Sequence, residues 1–126
     1  MRVFISHSRD GLELARDIAR RLSKAGHVIQ GLESNVPTSV DWKRYLRDQI
    51  RQADAVMLLA TPGALTSPWM AFELGMADGF DKVVLPVIAG VDPASLPSPL
   101  RSYQTVPYDH LDEAIEGLAR GLGQEK

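Results

Sequence analysis

Residues 53–75, ADAVMLLATPGALTSPWMAFELG, decide the fold. From Ala55 to Ala60 every side chain is apolar, so neither face of this strand is wet. A strand covered on both faces belongs to a parallel sheet, with helices above and below it. TPGALTSPW then leads into a helix, with Ser67 as a fitting N-cap and Pro68 suited to the first helical position.

The flanking sequence repeats the pattern. KVVLPVIA (82–89) is a second continuously apolar strand, in which Pro86 must sit where no ladder donor is needed. Upstream, RVFIS (2–6) reads as a buried strand and HSRDG as a loop. Leu12, Ala15, Ile18, Ala19 and Leu22 then recur at helical spacing, with Gly26 as the stop. HVIQ (27–30) is a strand, GLESNVPTSVD a turn-rich loop, and Asp41 to Arg51 a helix burying Trp42, Tyr45, Leu46, Gln49 and Ile50. GVDPASLPSPLRS reads as a loop, QTVPY as a weak edge strand, and HLDEAIEGLARGL as a closing helix with Leu111, Ala114, Ile115 and Leu118 inward. This alternation predicts an α/β fold: a flavodoxin-like doubly wound sheet of about five parallel strands, order 2-1-3-4-5, with helices on both faces. In that order a ligand sits outside the carboxyl ends of strands one and three. The loop Ser6-His7-Ser8-Arg9-Asp10 and the helix carrying Trp69 and Glu73 meet there.

Composition narrows the classes of function. The 126 residues, 44% hydrophobic and 24% charged, suit one domain over 1–126. A net charge of -2 and a pI near 5.9 provide no basic field for nucleic acid. The cations of 16–24 and 43–51 read as solvated helix faces. Without cysteine there is no disulfide, thiolate nucleophile or Cys-based zinc site, and a cytoplasmic location is expected. His27 and His110 lack metal-ligand spacing, so no metal is expected. No secretory leader is read at Met1-Arg2, and the apolar runs fall far short of the roughly 20 residues that span a bilayer. GLGQEK reads equally as a terminus or as the start of a linker to a further domain.

Glu73 carries the chemistry. Its neighbours at helical spacing, Trp69, Met70, Met76 and Ala77, include no cation. Trp69 offers a stacking face one turn back, and Met70, Phe72 and Met76 favour the protonated acid by desolvation. The alternative is an ordinary solvated glutamate. A lone carboxylate suffices to cleave a nicotinamide glycoside, because the cationic ring nitrogen leaves as a neutral amide without a general acid. The carboxylate then stabilises or captures the oxocarbenium-like centre.

VFISHS, the proline-bearing loop leading to DWKRYLRDQI, ADAVMLLATPGALTSPWMAFELG and KVVLPVIAGV together resemble a bacterial Toll/interleukin receptor (TIR) domain over roughly residues 2–121. The resemblance implies an NAD glycohydrolase or cyclase in which NAD is the substrate and no cofactor is held. The products are nicotinamide and ADP-ribose or a cyclic isomer, often in antiviral defence. Glu73 matches the catalytic glutamate and Trp69 its preceding aromatic; Phe4, Ser6, His7, Ser8 and Arg9 match the first motif, beside the nucleotide pocket. Leu32, Glu33, Ser34, Asn35, Val36, Pro37, Thr38 and Ser39 match the loop that contacts a neighbouring copy, so activity is expected to await self-assembly, and a fused or associated sensor domain is a further candidate partner. Arg2 stands where an acidic residue is common, Thr38 replaces the glycine of a frequent Pro-Gly pair, and the third motif of receptor-type members is not visible.

Other readings remain beside this one. His7 is equally a loop-capping histidine and Arg9 a solvated arginine, while Trp42 and Tyr45 read as core or interface residues. SHSRDG is too poor in Ser, Thr and Gly for an FMN loop, and Leu59-Ala60-Thr61 lacks the aspartate of a phosphoreceiver. The competing class is a non-catalytic TIR self-association module; a nucleoside deoxyribosyltransferase-like enzyme is a minor option.

Overall fold

The structure, a computed structural model, describes residues 1–31, 41–101 and 103–119. The expected assembly loop, residues 32–39, lies outside the described residues.

Five strands form one sheet in the order β2-β1-β3-β4-β5. They are β1 (Arg2–Ser6), β2 (Val28–Gln30), β3 (Ala55–Ala60), β4 (Val83–Ile88) and β5 (Val106–Pro107). Every pair is parallel, and β3 lies between β1 (Val3↔Ala55 to Ser6↔Leu58) and β4 (Ala55↔Val83 to Ala60↔Ile88). The expected order and the reversal point between β1 and β3 are therefore both present. Pro86 pairs opposite Leu58, whereas β5 engages only Val87 and Ile88, so the ladder on that side needs no donor from the proline.

Alternation along the strands builds two core layers. Val3, Ile5, Met57, Leu59, Leu85 and Val87 pack against α1 (Leu12–Lys24) and α6 (Leu111–Ala119), which bury Ala15, Ile18 and Leu22, and Leu111, Ala114, Ile115 and Leu118. On the other face Phe4, Val56, Leu58, Val84 and Ile88 meet Leu46 and Ile50 of α2 (Trp42–Gln52) and Met70, Leu74 and Ala77 of α4 (Pro68–Gly79). In β1 this parity sends Val3 and Ile5 to the first layer and Phe4 to the second, toward α2 and α4.

Two segments depart from the sequence reading. TPGAL forms a short helix, α3 (Pro62–Leu65), with the Thr61 side chain accepting the Ala64 N–H. The proline-rich segment read as a loop holds a 3-10 turn at Pro93–Ser95, capped by Asp92, and the short helix α5 (Ser98–Arg101). In both α3 and the turn a capping oxygen and a proline start the helical turn without any periodic apolar pattern.

Gly31 ends β2's side of the crevice with φ +97; a Cβ there would lie 2.7 Å from the Ile5 carbonyl oxygen and 3.1 Å from the Phe4 ring. Gly31→Ala is therefore expected to destabilise the fold by about 1–3 kcal/mol in urea denaturation. An unchanged midpoint would show that the turn relaxes without strain.

Candidate active site

α4 starts where the Ser67 side chain accepts the Trp69 backbone N–H at 3.2 Å and Pro68 takes the first position. Its buried residues are Met70, Glu73, Leu74 and Ala77, a single inward stripe. Glu73 thus points at the sheet, and only 8% of it is exposed.

A carboxylate placed among apolar side chains needs a partner. Glu73 has one: Ser6, the last residue of β1, whose Oγ donates to Glu73 Oε1 at 2.9 Å. Among the described residues no cation pairs with Glu73. Burial pushes its carboxyl up to about 7, and the Ser6 hydrogen bond pulls it back only in part. The apolar neighbourhood read from the sequence is present, and Glu73 ionises near neutrality.

The loop after β1 is held by a second carboxylate. Asp10 accepts from the Ser8 hydroxyl, from Thr61 Oγ1 at 2.8 Å and from the Gly63 N–H at 2.8 Å. These hydrogen bonds hold its carboxyl below the usual range and tie the loop to the start of α3. His7 Nδ1 lies 3.0 Å from the Ser8 carbonyl oxygen. A carbonyl can only accept, so Nδ1 carries the proton and Nε2 is the ring nitrogen left for a ligand.

These pieces border one cavity of about 520 Å³, within the size range of small-molecule sites. Phe4, Ser6, His7, Ser8, Arg9, Trp69 and Glu73, all expected from the sequence, line it together. Trp69 is 39% exposed and meets Phe72 edge to face, with centroids 5.7 Å apart. Arg9 is exposed and supplies the permanent positive charge among the lining residues. The side chain of Trp42 lies outside the described ones.

Ile5, Gly31, Tyr45, Leu46, Ala64, Ser67 and Met70 complete the wall. Tyr45, read as a core or interface residue, is half-buried there. The signal that would have found it is topological: α2 begins at the crevice end of the sheet, and Tyr45 stands in its first turn. Asp10 and Thr61 carried no such signal, because their pairing crosses 51 positions. Among the described residues no group of His, Asp and Glu could hold a metal ion, and no helix is long and apolar enough to cross a membrane.

Comparison with known proteins agrees with this architecture. The family model described as TIR domain matches residues 3–121. Among solved structures, the chain is similar to a metazoan TIR-STING receptor from C. gigas in complex with 2',3'-cGAMP, at 25% identity and a TM-score of 0.75. That match covers 98% of this chain and 39% of the receptor chain, so the protein spans about two fifths of the receptor's length. It shares its fold with the Clostridium botulinum CMP N-glycosidase BcmB: 17% identity, TM-score 0.66, over 94% of this chain and 99% of that one. The TIR domains of the activated Roq1 resistosome, which directly recognises the pathogen effector XopQ, have the same fold at 17% identity and a TM-score of 0.64, over 92% of this chain and 70% of that one. Among curated proteins no sequence matches. With a family match that runs nearly end to end and a five-stranded parallel sheet of the expected order, the chain belongs to the TIR domain family.

Proposed function

We propose that the protein is an NAD nucleosidase, a glycohydrolase or cyclase that splits the bond between nicotinamide and ribose. The observation that carries this reading is the inward, cation-free Glu73 at the switch-point cavity, held by one hydroxyl and ionising near neutrality. With the ribose carbon beside Glu73, the C–N bonding pair moves to the nicotinamide nitrogen and cancels its positive charge. The carboxylate stabilises the cationic ribosyl centre, or bonds to it, until water adds, releases a proton to solvent and gives ADP-ribose. Attack by an adenine nitrogen in place of water gives the cyclic isomer. The bound nicotinamide cation favours ionised Glu73, so the substrate helps to create the charge that it needs.

The remaining lining residues suit the rest of the ligand. Trp69 offers a face for the nicotinamide ring, Arg9 a charge for the pyrophosphate, and His7 Nε2 a hydrogen-bond partner for a ribose hydroxyl. Assembly with other copies through residues 32–39, a sensor domain, antiphage defence and a cytoplasmic setting belong to the same proposal.

The raised Glu73 carboxyl also favours a second reading. A neutral nucleobase leaves an N-glycoside more readily when protonated, and Glu73 in its acid form could supply that proton. This is the deoxyribosyltransferase-like or nucleotide N-glycosidase option. The pH dependence separates the two: nicotinamide release rises with pH through about 7, whereas acid-dependent base release falls. The deciding experiment is chromatography of NAD incubated with concentrated or artificially clustered protein, beside Glu73→Ala. If no assembled state releases nicotinamide, the nucleosidase reading fails; if none releases base from a nucleotide either, the non-catalytic self-association module takes its place.

A further inference from the structure

We infer that Ser6 is a positioning residue for Glu73 and not a substrate contact: its hydroxyl occupies Oε1 at 2.9 Å and reserves Oε2 for the reacting carbon. The inference rests on the reading of Glu73 as the catalytic carboxylate.

A serine hydroxyl has one proton to donate, and here it goes to Glu73. Ser6 is 5% exposed, at the end of a strand whose ladder with β3 reaches Ser6↔Leu58. The strand therefore fixes its oxygen from behind. Glu73 Oε2 makes no hydrogen bond within the described residues, yet none of their buried side-chain nitrogens or oxygens lacks a partner. Oε2 is therefore not fully buried, and the cavity that Glu73 lines is the space it reaches. One oxygen is anchored to the sheet and the other faces the ligand space, which restrains the carboxyl with Oε2 toward the cavity. Donation to Oε1 also favours the ionised state, the only contribution that opposes desolvation.

Among the described residues, the titratable or charged groups that share the cavity with Glu73 are His7 and Arg9 from the loop after β1 and Tyr45 from α2. Apart from Glu73 itself, α3 and α4 bring none to it.

The test compares wild type with Ser6→Ala, with Ser6→Cys, which is close in size but a feeble donor, and with Ser6→Thr, which keeps the hydroxyl. Carbon-13 NMR titration of the Glu73 carboxyl reads the coupling without any turnover. Loss of the hydroxyl is expected to raise the midpoint by roughly one pH unit in the Ala and Cys variants, with recovery in Thr. In clustered protein kcat for NAD should fall roughly fivefold near neutral pH and recover in alkali, with KM little changed. A midpoint that stays put in Ala and Cys overturns the inference, as does a higher KM at unchanged kcat, which is the mark of a substrate contact. If the midpoint moves while wild type releases no nicotinamide, the NAD reading falls and the anchoring of Glu73 by Ser6 stands.

Discussion

Glu73→Gln will slow nicotinamide release by clustered protein at least about a hundredfold and will at the same time stabilise the fold above neutral pH. The amide keeps an oxygen for the Ser6 hydroxyl and nearly the same volume, so packing is retained while the charge is lost. The stability change follows from linkage. The carboxyl titrates at 4.5 when unfolded and at about 7 when folded, so its stabilising contribution is complete below 4.5 and disappears as the pH rises through 7. That difference corresponds to about 3 kcal/mol, which wild type loses in mild alkali and the amide variant does not. Urea denaturation at pH 5 and pH 8.5 measures it: the two proteins should differ far more at the higher pH. Equal stabilities at pH 8.5 would mean that Glu73 is solvated, and full activity in the variant would remove it from the chemistry.

The second large effect concerns the packing beneath the loop after β1. Leu59 is fully buried in β3, and the loop after β1 sits directly on it: a Cβ built on Gly11 would lie 2.9 Å from Leu59 Cδ2. Leu59→Ala removes methyl groups from the layer shared with α1 and α6 and leaves a void under that loop. The expected loss is about 2–5 kcal/mol in denaturant unfolding, a large part of the roughly 5–15 kcal/mol that holds a domain together. Val28→Ala, on an edge strand and 56% exposed, is the control and should stay within about 0.5 kcal/mol of wild type. A loss below about 1 kcal/mol for Leu59→Ala would mean that the layer closes over the gap.

The sheet was readable in the sequence because burial on both faces leaves a continuous apolar run, as in AVMLLA and VVLPVI. Ser67 and Pro68 likewise marked the start of α4, since capping is a local matter. The helical turns at 62–65 and 98–101 were not readable, being too short for any period to repeat. For the site, topology was enough to bring strand one and the glutamate helix to the same crevice. It could not reveal that Ser6 and Glu73 bond to each other, nor that Glu73 belongs to the inward stripe. Its helical neighbours showed a missing cation, but the side facing the sheet is set by helix packing across 67 positions of chain. The hold of Asp10 on Thr61 and Gly63 is non-local in the same way.

The two-residue rhythm of β1 also makes the site digital. Ser6 shares a face with Phe4, so Glu73 meets a neutral donor while the imidazole of His7 stays with the loop. A frame slip of one position within this strand would exchange their addresses, setting an ionisable ring against the buried acid and a hydroxyl at the rim. Recombination or loop grafting in such a scaffold can therefore vary the rim freely only while the number of residues leading up to the acid's partner keeps its odd or even character.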